Sequence, residues 1–126
     1  MQDLHRFNAT SVSCFSENGM DIIGLSDDDL NPAHFAVLMQ FREEACAVAQ
    51  CTELQTEKCE HPIANALQAI KLSRQQMRIV LTDEAKLQLG CNAIEIGLPE
   101  RYEHPLLVQY LRLCFDNTPI ALNIDD

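Results

Sequence analysis

The chain has 126 residues, 47 % of them hydrophobic, and a formal net charge of −10 at neutral pH. One domain is typical of this length, and this hydrophobic content is enough to build a core. Carboxylates outnumber Lys and Arg by nineteen to nine, and the excess is concentrated before Ile63, where it is eleven to three. Because phosphate backbones select basic side chains, this charge argues against nucleic acid as a direct ligand and favours a basic protein partner.

The sequence gives no sign of membrane insertion or export. Its longest apolar runs are a few residues, far below the roughly twenty that cross a bilayer. The segment Met1–Arg6 lacks the basic-then-apolar layout of a signal peptide. We therefore expect a cytoplasmic protein without membrane contact, whose cysteines are reduced. Cys14, Cys91 and Cys114 have apolar neighbours, and we expect them to be buried.

The first third of the chain predicts three strands and one loop. Ala9–Glu17 and Asp21–Leu25 flank Asn18-Gly19, which is a strong hairpin turn signal. The acidic run Ser26–Pro32 consists of turn residues and predicts an exposed loop. In His34–Arg42 apolar residues occupy both parities, which predicts a strand buried on both faces.

Residues 43–55 fit a helix and a strand equally well, because Ala and Glu favour a helix whereas Thr52 and Leu54 suit a strand. The next segment is clearer. Ala66–Leu72 and Met77–Leu81 alternate apolar and polar residues and predict a second hairpin, with its turn at Ser73–Gln76.

Capping signals define the helices of the second half. Thr82 is expected to cap a short helix over Asp83–Leu89 through its side chain, and Gly90 to end that helix in the left-handed conformation. Pro105 fits the first position of a helix that continues to Phe115.

Two further strands complete the prediction. Ala93–Leu98 alternates apolar and polar residues, and Pro119–Ile124 can supply a final edge strand. We predict a single α+β domain over residues 1–126, with a mainly antiparallel sheet of about six strands and two helices packed on it.

A search for catalytic and cofactor motifs finds little. The four glycines are scattered and form no phosphate loop, and the serine hydrolase, zinc protease and EF-hand motifs are absent. We therefore expect no enzymatic activity, cofactor or metal. Cys46, Cys51, Cys59 and His61 could in principle ligate zinc, but their spacings are longer and less regular than those of a zinc knuckle. Ordinary core and loop cysteines explain them better, although the sequence leaves a metal there open.

Several segments, taken in order, resemble one known family. The resemblance covers about Gly24 to Phe115 and includes the acidic loop before a hydrophobic strand. The further segments that carry the resemblance are Asn31-Pro32, Glu53-Leu54-Gln55, Ile70–Arg74, Met77–Leu81, Ala85, Leu89-Gly90 and Ile94-Glu95-Ile96. In this order they resemble the immunity protein 10 family of bacterial polymorphic toxin systems. Members of that family are small, mostly β proteins that protect the producing cell from a cognate toxin. The resemblance implies that Glu53 and Gln55 lie on a strand.

The leading hypothesis is a non-enzymatic inhibitor that binds a cognate toxin domain, for example a nuclease with a basic cleft. Its contact residues would be carboxylates of the acidic half, together with Gln55 from the same strand as Glu53. They are Asp27, Asp28, Asp29, Glu43, Glu44, Glu53 and Gln55. One alternative is an acidic secretion chaperone or adaptor for an exported effector. Another is a small cysteine-dependent enzyme that uses Cys59 beside His61. An exposed edge strand near either terminus could also pair two copies into a homodimer.

Overall fold

The computed structural model describes residues 2–41, 52–116 and 118–125, with side chains from Leu4 onward. Ten strands and two helices lie within these ranges. They are β1 (Gln2–Asn8), β2 (Ser11–Glu17), β3 (Met20–Ser26), β4 (Phe35–Phe41), β5 (Thr52–Thr56), β6 (Ile63–Ala64), β7 (Leu67–Leu72), β8 (Gln76–Leu81), α1 (Asp83–Leu89), β9 (Cys91–Gly97), α2 (His104–Phe115) and β10 (Ala121–Ile124).

The strands form two five-stranded sheets. One, here called the mixed sheet, has the order β1-β9-β8-β7-β10, and the other, the antiparallel sheet, has the order β2-β3-β4-β5-β6. In the mixed sheet the two outer strands run parallel to their neighbours, β1 to β9 and β10 to β7. The α+β prediction is confirmed, but ten strands in two sheets replace the expected single sheet of about six.

The chain changes sheets between Ala9 and Thr10. The Ala9 amide donates to the Gly97 carbonyl at 2.8 Å, which extends the pairing of β1 with β9. The next amide, of Thr10, donates to the Ser26 carbonyl at 2.8 Å and begins the pairing of β2 with β3. The strand predicted from Ala9 therefore begins two residues later, at Ser11, because Ala9 still belongs to the mixed sheet.

The core lies between the inner faces of the two sheets and one side of α2. Every second residue of the central strands points inward, as the twofold period of a strand requires. Helix α2 contacts β2, β3 and β10, whereas α1 packs on β8 and β9. The fully or almost fully buried side chains of this one cluster include Ile23, Leu25, Leu38, Leu54, Ile70, Met77, Ile79, Ile94, Ile96, Leu107, Leu111 and Phe115.

Turns and helix ends follow the local chemistry with one exception. Asn18 and Gly19 have φ values of 52° and 76°, which is the left-handed geometry expected of a tight hairpin turn. Gly90 ends α1 at φ 74°, as predicted. The expected side-chain cap at Thr82 is wrong: its hydroxyl donates to the Asn65 carbonyl at 2.8 Å, so it binds the preceding loop instead of the helix.

The remaining boundaries differ in small ways from the sequence expectation. The residue before Pro105 already belongs to α2, so Pro105 lies in the first turn where its missing donor is tolerated. The open choice for residues 43–55 is settled as strand β5 from Thr52 onward, and residues 43–51 lie outside the described ranges. Strand β10 is confirmed as an edge strand. Strands β1 and β6 were not predicted. Neither described helix is long and apolar enough to span a membrane.

Two leucines provide a direct test of this core. Leu38, on β4, is fully buried, whereas Leu30 is 94 % exposed. We expect Leu38→Ala to lower the free energy of unfolding by about 2–5 kcal/mol, because the truncation leaves a cavity. Leu30→Ala is the matched control and should change it by less than about 0.5 kcal/mol. Chemical denaturation followed by circular dichroism measures both, and equal effects would contradict the assigned core.

Candidate functional site

The outer face of the antiparallel sheet, the face that points away from the core, is mostly apolar. Cross-strand pairing aligns Phe15, Ile22 and Met39 in one row across β2, β3 and β4, and the row continues through Glu53 of β5 to Ala64 of β6. Directly paired residues of an antiparallel sheet point to the same side. The row therefore places four apolar side chains and one carboxylate on the outer face, where Phe15 is exposed and Ile22 is buried among its neighbours.

A second row lies beside the first. Pairing aligns Ser13, Gly24 and Val37, and Gln55 of β5 ends this row. The two residues that the family resemblance places on a strand, Glu53 and Gln55, thus lie side by side on β5, paired with Met39 and Val37. Phe15 is 42 % exposed, and Val37 is half-buried, so the face is accessible.

A groove of about 330 Å³ crosses this face and reaches the acidic loop. Residues of β2, β3 and β4 form its floor, and Pro32 of the loop forms part of one wall. Its lining consists of Ser13, Phe15, Ile22, Gly24, Leu25, Ser26, Pro32, Phe35 and Val37. The apolar face and the acidic loop are therefore one continuous surface.

The outer face of the mixed sheet has a different character. Glu95 on β9 accepts from Arg6 at 3.3 Å and lies 3.8 Å from Arg78, and Gln76 donates to it at 2.9 Å. The exposed Lys71 adds a further cation on β7. By contrast, the described strands of the antiparallel sheet, β2 to β6, contain neither Lys nor Arg. Exposed apolar surface without basic side chains is thus confined to one of the two outer faces.

The three aspartates of the acidic loop have different roles. Asp27 Oδ1 accepts from the amides of Ala33 and His34, at 3.0 and 3.2 Å, and so closes the loop. Asp28 is exposed, and its Oδ1 accepts from the Leu30 amide at 2.9 Å. Asp29 and Leu30 are exposed as well. Asp27 therefore shapes the loop, and the following residues form its surface.

Glu57, which directly follows β5, anchors the end of this loop. Its Oε2 lies 2.9 Å from His34 Nδ1 and 2.9 Å from His5 Nε2, and its Oε1 accepts from the Phe35 amide at 3.1 Å. Burial raises the pKa of this carboxyl, but hydrogen bonds from His34 and the Phe35 amide, together with the charge of His5, outweigh burial and lower the pKa below its ordinary value. The carboxylate therefore holds residues of both sheets and of the loop.

Sequence reasoning missed this cluster because its members come from three distant segments and follow no local motif. The available signal was the spacing of His5, Phe7 and Ala9, because every second residue of a strand points to the same side. All three side chains are buried. A histidine in the first of these positions conceals the pattern, because hydrophobic alternation is read from apolar residues.

The other predicted candidates are placed as follows. Glu43, Glu44, Cys46 and Cys51 lie outside the described residues. The Cys59 thiol contacts Thr56, whose amide donates to Sγ at 3.4 Å, and His61 is exposed. Cys91 and Cys114 are buried as expected, whereas Cys14 is only half-buried because it lies on the edge strand β2.

No protein-family model matches the chain, and no curated protein matches it.

Asp27 and Asp29 allow a test of the division of roles within the loop. Asp27→Ala leaves two backbone amides without their acceptor, so we expect a loss of about 1 kcal/mol in the free energy of unfolding. Asp29→Ala removes an exposed carboxylate and should change it by less than about 0.5 kcal/mol. Urea denaturation measures both values. Equal stability of the two variants would show that Asp27 does not organise the loop.

The reactivity of Cys14 tests whether its thiol on the edge strand β2 is shielded from solvent. Burial, and secondarily the Glu103 carboxylate, raises the pKa of the Cys14 thiol to about 11. Because only the thiolate reacts, alkylation of Cys14 by iodoacetamide at pH 8 should be at least tenfold slower in the folded than in the urea-unfolded protein. Mass spectrometry of the Cys14 peptide measures the rate. Equal rates would mean that the thiol is fully solvated in the folded chain.

Proposed function

We propose that this chain is an immunity protein that binds a cognate toxin domain and blocks it without catalysis. The observation that carries the proposal is the accessible apolar face of the antiparallel sheet, bordered by carboxylates and continuous with the acidic loop. The order of sequence segments that resembles the immunity protein 10 family supports the toxin as the partner.

The size of the face suits the centre of a protein interface. Its four longer strands, β2 to β5, have five to seven residues and lie about 4.8 Å apart, which gives a surface of roughly 20 by 20 Å, or about 400 Å². A standard interface covers about 800 Å² on each partner. The sheet face would therefore supply the apolar centre, and the acidic loop the adjoining polar part. Aromatic and methionine side chains such as Phe15 and Met39 are typical of such centres.

The charge of the described residues supports a basic partner. Exposed Glu17, Asp28 and Asp29 and half-buried Glu53 lie around the apolar residues, and the described strands of this sheet contribute no cation. A second copy would bring its own carboxylates and a net charge of −10 to the same contact, which is repulsive. A basic partner would be attracted and steered to the face. This favours a toxin with a basic cleft, such as a nuclease, over a homodimer.

Inhibition would follow from occupation of that cleft. Asp28 and Asp29 would occupy positions that a phosphate backbone otherwise fills. Leu30, which is 94 % exposed, would enter an apolar pocket of the partner. Nothing in this scheme requires a nucleophile, a metal or a cofactor in the immunity protein.

The test uses one charge placed on each sheet. Val37→Lys puts a cation at the centre of the apolar face, where its long side chain can reach solvent without unfolding the strand. Gln76→Lys puts the same charge on the outer face of the mixed sheet, beside Glu95, and is the matched control. Tagged wild-type protein first captures its partner from source cells. The toxin domain so identified is then purified, and its affinity for all three proteins is measured by calorimetry.

We expect Val37→Lys to weaken binding at least tenfold and Gln76→Lys to leave it within about twofold, since hot spots lie at the centre of an interface. Wild-type protein and Gln76→Lys should restore growth of cells that express the toxin domain, and Val37→Lys should not. Normal binding by Val37→Lys would exclude this face as the contact. Capture of several unrelated export substrates without any toxin would instead indicate a secretion chaperone.

A further inference from the structure

Three side chains that could bind a metal ion converge next to the acidic loop. They are His5 from β1, His34 from the end of the loop and Glu57 after β5, and one ligand atom of each lies within 4.8 Å of the other two. His5 Nε2 and His34 Nδ1 are each 2.9 Å from Glu57 Oε2. The two imidazole rings meet edge to face, with centroids 5.5 Å apart.

We propose that His5, His34 and Glu57 form a binding site for a divalent transition metal of the zinc type. This site is independent of the proposed toxin inhibition and of the cysteine-rich segment considered from the sequence. Its ligand set is two imidazoles and one carboxylate, a combination that recurs in zinc sites with three protein ligands.

The distances are close to those that such an ion needs. Zinc lies about 2.0–2.1 Å from nitrogen and oxygen ligands, so tetrahedral ligands are about 3.4 Å from one another. The two contacts of 2.9 Å would have to lengthen by about half an ångström. Rotation of the His34 side chain, which is 45 % exposed, can lengthen its own contact, and a small shift of the Glu57 carboxylate away from His5 must lengthen the other.

The surroundings of the three ligands also fit a metal site. His5 is buried, and the second oxygen of Glu57 accepts from the Phe35 amide at 3.1 Å, which fixes the carboxylate. Such contacts behind the ligands orient them and strengthen metal binding. Because the His34 side chain is 45 % exposed, solvent would supply the fourth ligand.

The ligand types favour transition metals over magnesium and calcium. Imidazole suits zinc, cobalt and nickel, whereas magnesium and calcium prefer sites built from oxygen alone. A bound ion would join β1 of the mixed sheet to the loop and β5 of the antiparallel sheet. Because it would bind the folded chain only, it would also raise the melting temperature.

The experiment is a titration of the purified full chain with cobalt chloride, followed by visible absorption, and equilibrium dialysis with zinc chloride. His34→Gln removes one imidazole but keeps an amide that can hydrogen-bond to Glu57. His61→Ala removes an exposed histidine outside the cluster and is the control. Absorption in the near ultraviolet distinguishes cysteine ligands, because cobalt–thiolate bonds give an intense charge-transfer band there.

We expect one ion per chain, no thiolate band, at least tenfold weaker binding in His34→Gln and unchanged binding in His61→Ala. Zinc should raise the melting temperature of the wild type and of His61→Ala, but not of His34→Gln. Failure of the wild type to bind either ion at micromolar concentration would overturn the proposal. A thiolate band, or binding that depends on His61 and not on His34, would overturn it as well. Neither result bears on toxin binding, which the sheet-face variants test separately.

Discussion

The Glu57 carboxylate is the contact on which the arrangement of the loop and the two sheets depends. One of its oxygens lies 2.9 Å from His5 of the mixed sheet and 2.9 Å from His34, and the other accepts from the amide that begins β4. It thereby holds the end of the acidic loop against both sheets. Asp27 fixes the same end from within the loop through the His34 amide. This half-buried charge is tolerated because several donors satisfy it.

The outer faces of the two sheets differ in the kind of side chain that they expose to solvent. The mixed sheet exposes charged residues that pair with one another around Glu95. The antiparallel sheet carries on its outer face an apolar row with Phe15 and Met39, and Val37 beside it, next to Glu53 and Gln55 of β5. A contiguous apolar patch on a protein surface is a feature of contact sites, whereas scattered apolar residues are not. The asymmetry between the sheets is therefore the strongest functional signal in the fold.

Local patterns predicted the elements whose formation depends on neighbouring residues. The Asn18-Gly19 hairpin, the β7–β8 hairpin and helix α1 with its Gly90 end belong to this class. The division into two sheets was not predictable in this way, because it depends on the pairing of β1 with β9, strands that are distant in the chain. Of the candidate site, the exposed acidic loop was predicted from its turn residues, whereas strand β5 followed only from the family resemblance, because the residues themselves left helix and strand open. The apolar row was not predicted, since it exists only once the register of the strands is known.

The most direct measurement of the central claim is a methyl nuclear magnetic resonance titration with the toxin domain. We propose that the partner covers the outer face of the antiparallel sheet. The account predicts that the methyl signals of Ile22, Val37 and Met39 shift or broaden on addition of the toxin domain, while those of Ile124 on β10 remain unchanged. Changes confined to residues of the mixed sheet, with the three outer-face methyl groups unaffected, would contradict it.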